Sequence, residues 1–200
     1  MNRFTPWLIG AATLIAGVVF VTTFVHAVYY APDTEAPPSP SLASAAASIP
    51  SAVKPVRLIV PALGIDANVQ QLGINAKGAM MAPSNFTDVG WYRYGTVPGH
   101  VGSAVIDGHV DNGLGLDGVF KHLGDVQKGD DIYIEDQNGK KLHFIVDDVQ
   151  IYPFDASPAQ KIFGQTDSAR LNLITCAGTW VKGQRTYNER LVVYSKLAPS

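Results

Sequence analysis

The chain has 200 residues, and the side chains best suited to move protons and acyl groups are its single cysteine and five histidines. Cys176 ends the run Leu171-Asn172-Leu173-Ile174-Thr175-Cys176 and is followed by Ala177-Gly178. As a strand, that run sends Leu171, Leu173 and Thr175 to one face and Asn172, Ile174 and Cys176 to the other. A thiol at a strand end stands where a loop opens to solvent. It can serve as a nucleophile there if a base takes its proton and a donor meets the developing oxyanion. The plain alternative is a small buried hydrophobe, a common role for free cysteine.

Among the histidines, His109 has the most suitable setting. It follows the apolar run Ala104-Val105-Ile106-Asp107-Gly108, so a strand end would hold the imidazole while leaving it reachable. Gly108 allows another segment to approach closely. A satisfied structural histidine is the competing reading. His26 falls in an apolar stretch and His100 in the loop Val97-Pro98-Gly99, while His122 and His143 read as structural or surface residues. Two cations follow the cysteine. Arg185 lies in the polar loop Lys182-Gly183-Gln184, and Arg190 is read as opening the strand Arg190-Leu191-Val192-Val193-Tyr194. A guanidinium beside a thiol-bearing strand can donate to an oxyanion; a solvated surface charge is the alternative for either.

Composition removes several classes. One cysteine permits neither an internal disulfide nor a cysteine-cluster zinc site. Fifteen Lys and Arg against 17 Asp and Glu give a net charge of -2. That leaves no basic excess for neutralising phosphates, so nucleic acid is not an expected partner.

The elements that must position these residues come after a long preamble. From Phe4 to Pro32 there is no Asp, Glu, Lys or Arg, and Trp7 to Ala31 is 25 apolar-rich residues. About 20 such residues in a helix cross a bilayer core. Arg3 before the stretch, and Asp33 and Glu35 after it, favour an inside N-terminus. The expectation is a membrane anchor over residues 1–31 and a single-pass protein of the cell membrane. A cleaved signal peptide ending at Val25-His26-Ala27 is the rival. Residues 32–55 are rich in Pro, Ala and Ser and read as a linker. Residues 56–197 then form the globular part. Strands are expected at Val56–Val60, Ala67–Leu72, Ser103–Ile106, Asp131–Glu135, Leu142–Tyr152, Leu171–Cys176 and Leu191–Leu197. Asn138-Gly139 predicts a type I′ hairpin. Short helices are expected at Gly118–Leu123 and Ser157–Phe163. About eight strands predict a mainly all-β barrel or sandwich.

Taken together, residues 56–197 resemble the sortases, the cysteine transpeptidases of Gram-positive-type cell surfaces. His109 stands in a Gly-His after an apolar strand. Leu173-Ile174-Thr175-Cys176 matches the family's Leu-x-Thr-Cys signature. Arg190 lies 14 positions beyond the cysteine, where sortases keep an arginine. Val89-Gly90-Trp91-Tyr92, Pro98-Gly99 and Gly108-His109-Val110-Asp111 resemble the class often labelled F, or a close relative.

The resemblance implies a closed eight-stranded β-barrel with short helices. It also implies His109, Cys176 and Arg190 as catalytic residues, Thr175 and the loop Tyr152–Ala169 as substrate contacts, and no cofactor or metal. The implied partners are proteins bearing C-terminal sorting signals and a cell-wall precursor amine. The implied reaction cleaves an LPxTG-like signal through a thioacyl enzyme and passes the acyl group to that amine. Asn172 replaces a frequent Thr, with little effect expected. No lid of the Asp-Pro-Trp kind precedes the barrel, and Ala67–Trp91 lacks an evident acidic calcium cluster. Papain-like endopeptidases place the cysteine before the histidine, the reverse of the order here. A non-catalytic, membrane-anchored β-barrel binding module is the alternative of a different class.

Overall fold

The computed structural model describes residues 5–29, 54–76, 78–112 and 114–199. Helix α1 covers Thr5–Tyr29, the uncharged stretch read as an anchor. Its side chains are described only over residues 12–25. Among the described residues, no helix is long and apolar enough to cross a membrane. The linker expected at 32–55 lies outside the described residues up to 53.

Eight strands follow: β1 Pro55–Val60, β2 Ile65–Leu72, β3 Val89–Tyr92, β4 Gly102–Gly108, β5 Asp131–Asp136, β6 Lys141–Pro153, β7 Ala169–Val181 and β8 Thr186–Leu197. They close into a barrel in the order β1-β2-β3-β4-β7-β8-β6-β5, with β5 pairing back onto β1. Pairs β2–β3 and β4–β7 are parallel; the other pairs are antiparallel. Closure removes the exposed strand edges that open sheets must protect.

Alternation along the strands builds two apolar layers. Leu58, Val60, Trp91, Ala104, Ile106, Phe120, Leu171, Leu173, Leu191 and Val193 fill the barrel. The opposite faces of the same strands send out Tyr92, Val105, Ile174, Val192 and Tyr194. Ile162 and Phe163 of the short helix α2, Ala159–Phe163, cover this outer layer together with Met80. The barrel's outer surface beneath α2 is therefore a second core, and it backs the strand positions at its margin.

Several local expectations change. Strand β3 was not foreseen, because its four residues are all buried and show no alternation of polarity. The segment 119–122 is turn, and only the single 3-10 turn Leu123–Asp125 follows it, so no helix spans Gly118–Leu123. The β5–β6 hairpin forms without a type I′ turn. Gly139 has φ +78, but Asn138 does not enter the left-handed region. The Asp136 side chain accepts from the amides of Asn138 and Lys140 at 2.8 and 3.0 Å, holding a longer loop. Asn-Gly dictates the two-residue turn only where no neighbouring side chain offers the backbone other partners.

Candidate active site

Strand β7 carries Cys176 on the outer face, in line with Asn172 and Ile174. Directly across the β7–β8 ladder from Cys176 stands Arg190. The ladder breaks immediately beyond, between Ala177 and Trp180, where Gly178 adopts φ +79. Any Cβ there would lie 2.3 Å from the Asn188 side chain. This bulge bends the hairpin away just past the thiol and leaves Cys176 half-buried.

The parallel β4–β7 ladder runs through Asp107 opposite Ile174. Two residues further along each strand lie His109 and Cys176. The Thr175 hydroxyl donates to the Gly108 carbonyl at 2.7 Å and fixes this register at its end. The His109 ring is buried against Phe86, with centroids 5.0 Å apart. Its Nε2 lies 2.9 Å from the Pro83 carbonyl oxygen. A carbonyl only accepts, so Nε2 carries a hydrogen and Nδ1 is the ring atom left for proton exchange.

Arg190 is 2% exposed, a burial that a cation tolerates only when it is held and compensated. Its Nη1 donates to the carbonyls of Tyr187 and Glu189 at 3.1 and 2.8 Å, and Nη2 donates to Thr186 Oγ1 at 2.9 Å. The Phe154 ring stacks below the guanidinium at 4.4 Å. Sequence reading had Arg190 opening its strand. Strand β8 begins four residues earlier, at Thr186, because the polar run 186–189 pairs with the far end of β7. Arg190 is thus held from both sides along the chain. Arg185 sits in the exposed turn between β7 and β8 with φ 54.

Burial pushes the Cys176 thiol up to about 11; the Arg190 charge pulls it down, and the Asp107 and Asp111 carboxylates push it further up. Burial likewise lifts Asp107 to about 6, against the pull of His109, Arg190 and the Gly108 amide. Tyr187 donates its hydroxyl to Asp111 and packs edge-on against Trp180 at 5.3 Å. Burial first, and that bond second, raise the Tyr187 phenol.

The three residues expected to be catalytic therefore sit together on one barrel face, Cys176 and Arg190 within β7 and β8 beside the ladder's break and His109 just past the end of β4. Thr175 does not join them as a substrate contact. It shares the inward parity of Leu171 and Leu173, is 2% exposed and spends its hydroxyl on Gly108. Its side chain positions the framework. The segment after β6 supplies Phe154 under Arg190 and Ile162 over the outer layer, so it forms one wall of the face. Pro83 and Phe86, from the β2–β3 connection, form the other. Sequence reading missed Asp107, Asp111, Tyr187, Pro83, Phe86 and Phe154. Only the two aspartates carried a signal, through their spacing of two on either side of His109.

A family model described as "Sortase domain" matches residues 58–198. Solved structures similar to this chain include sortase A from Corynebacterium diphtheriae, a lid mutant. It is 21% identical, covers 72% of this chain and 69% of its own, and has a TM-score of 0.56. Streptococcus agalactiae sortase C1 in complex with MTSET is 22% identical over 72% and 67% of the two chains, with a TM-score of 0.53. The Clostridium perfringens sortase D5 transpeptidase is 17% identical over 72% and 78%, with a TM-score of 0.51. No curated protein matches the chain.

Proposed function

Since this chain belongs to the sortase family of cysteine transpeptidases, we propose that it cleaves an LPxTG-like sorting signal at Cys176 and passes the acyl group to a cell-wall amine. The observation that supports this most is the pairing of Cys176 with Arg190 across β7–β8 while His109 ends the adjoining strand.

The resting thiol is protonated. With its midpoint pushed up to about 11, about one molecule in 10⁴ would carry thiolate at pH 7. The proton leaves Sγ for the imidazole as sulfur closes on the carbonyl that follows the signal's threonine. Arg190, already oriented by its three protein oxygens, meets the charge on that oxygen or holds the peptide backbone. Collapse of the tetrahedral species breaks the C–N bond, and the imidazolium returns its proton to the departing glycine amine. A second amine then attacks the thioester and restores the thiol.

The phrases Val89-Gly90-Trp91-Tyr92 and Gly108-His109-Val110-Asp111 support a place in or near the class often labelled F. The uncharged 25-residue helix α1 supports a single-pass anchor with the barrel outside the cytoplasm. Protease shaving of protoplasts should then release the barrel; a protected barrel overturns the topology. The chemistry is tested by incubating the protein with a sorting-peptide library and an amine. Mass spectrometry should find a thioacyl adduct on Cys176 and a transfer product, and neither with Cys176→Ala. Absence of both from the wild-type reaction refutes the proposal.

A further inference from the structure

Asp107 is an acid that the transfer chemistry leaves unused, on the same face as the residues that it does use. It is the last residue but one of β4, pointing to the outer side with Val105, and lies two residues before His109, which follows the strand's end. Its ladder partners are Ile174 on β7 and Gly90 on β3. Cys176 is its diagonal neighbour, a relationship of about 7–8 Å between positions and within mutual electrostatic reach. The charged and titratable groups around it are His109 and Asp111 on its own segment, Cys176 on β7, and Arg190 on β8 with Tyr187 behind Asp111. Opposite Gly90 there is no side chain to face it. The lysine of the overlying α2, Lys161, is turned to Tyr152 and Tyr194. Apart from the Gly108 amide, the carboxylate thus faces the catalytic groups.

We propose that Asp107 is a positioning residue of this centre: its carboxylate, set beside His109 and near the buried Arg190, offsets the arginine's charge and holds Cys176 as a thiol until a substrate arrives. The argument is one of charge. Arg190 alone would favour thiolate, and a thiolate is the form that oxidants and stray electrophiles attack. An anion on the same face counters that pull. The same anion favours a protonated imidazole once the thiol has given up its proton, so it does not oppose the transfer itself. Burial keeps Asp107 responsive, since its own ionisation falls near pH 6. This inference rests on the reading of Cys176, His109 and Arg190 as the reacting centre.

The test measures alkylation of Cys176 by iodoacetamide as a function of pH, in the full chain in detergent, for wild type, Asp107→Asn and Asp107→Glu. At an effective dielectric near 20, a charge at about 7.5 Å displaces a titration by roughly one and a half pH units. The Asn variant should show its alkylation midpoint about one and a half pH units lower, with labelling roughly thirty- to fortyfold faster and faster oxidation by peroxide at pH 8. The Glu variant should lie near wild type. A purely structural role would alter stability and total labelling but not the midpoint, so an unmoved midpoint in folded Asp107→Asn overturns the proposal. Should that variant not fold, Asp107→Ser is measured in its place, with the same two outcomes for the midpoint. Alkylation needs no sorting peptide. Failure of peptide cleavage with an altered midpoint therefore removes the transferase reading alone, whereas cleavage with an unmoved midpoint removes only the role of Asp107.

Discussion

The hydroxyl of Thr175 donates to the carbonyl of Gly108 across the parallel β4–β7 ladder, 2.7 Å apart and 67 residues apart in sequence. One bond thus couples the residue before the thiol to the residue before the imidazole. Thr175→Val keeps the shape and removes the donor. The Gly108 carbonyl would then be buried unpaired, at a cost of about 1–3 kcal/mol. Thermal unfolding should report that loss, and peptide transfer should fall by about tenfold or more as His109 loosens against Cys176. Thr175→Ser should recover most of both. Unchanged transfer in a folded Val variant would show that the register is held by the strands alone.

The two arginines after the cysteine should separate cleanly. Arg190→Ala removes a buried, oriented cation facing Cys176 and should lower transfer by ~10²-fold or more, as loss of an oxyanion donor does. Arg190→Lys should recover little, because an ammonium cannot satisfy the same three oxygens in one plane. Arg185→Ala changes an exposed turn and should stay within about twofold. Steady-state transfer rates on matched peptides decide the matter, and equal losses at both sites would move the role to the turn.

Alkylation of Cys176 should climb with pH without a plateau through the neutral range. The sign follows from the thiol. Burial raises its titration to about 11, so each unit between pH 7 and 9 increases thiolate about tenfold. Arg190→Ala removes the charge that lowers this midpoint, so labelling at pH 8 should slow. A rate already flat at pH 7, measured by mass-resolved labelling, would mean a resting thiolate–imidazolium pair.

Gly118 offers a test of the histidine's backbone. A Cβ on Gly118 would lie 2.3 Å from the His109 carbonyl oxygen, and that obstacle is main chain rather than a yielding side chain. Gly118→Ala should therefore displace His109, with transfer falling by ten- to a hundredfold while circular dichroism still reports the barrel. Full activity in the alanine variant would contradict the contact.

Legibility in the sequence followed the physics of each residue. The run from Leu171 to Cys176 gave its faces directly, because apolar interior positions alternate with a second, outer apolar layer. The eight-stranded closed barrel came with the family resemblance, and the structure has it. Strand β3 was hidden because a doubly buried strand has no polar face to alternate with. The first residues of β8 were hidden because polar residues paired in a protruding hairpin look like loop. Phe154, Pro83 and Phe86 reach the site from loops 23 or more residues away from the groups they touch, a meeting that spacing cannot encode. The inward parity of Thr175 was legible in the run, but the bond of its hydroxyl to Gly108, 67 residues away, was not.

Strand β8 lies between β7 and β6 in the closed order, although it is the last strand of the barrel in the chain. Its position has a kinetic meaning. Strands β7 and β8 are joined only by the turn 182–185, so their hairpin, and with it the pairing of Arg190 with Cys176, can form locally. Strands β6 and β7 meet chiefly through β8, so the barrel closes only when this hairpin docks on β6 at one edge and on β4 at the other. Those pairings join segments far apart in the chain and close more slowly, because the entropy of a large loop must be overcome before the contacts form. A partly folded chain would therefore carry its thiol beside its cation before the strand leading to His109 has docked against β7.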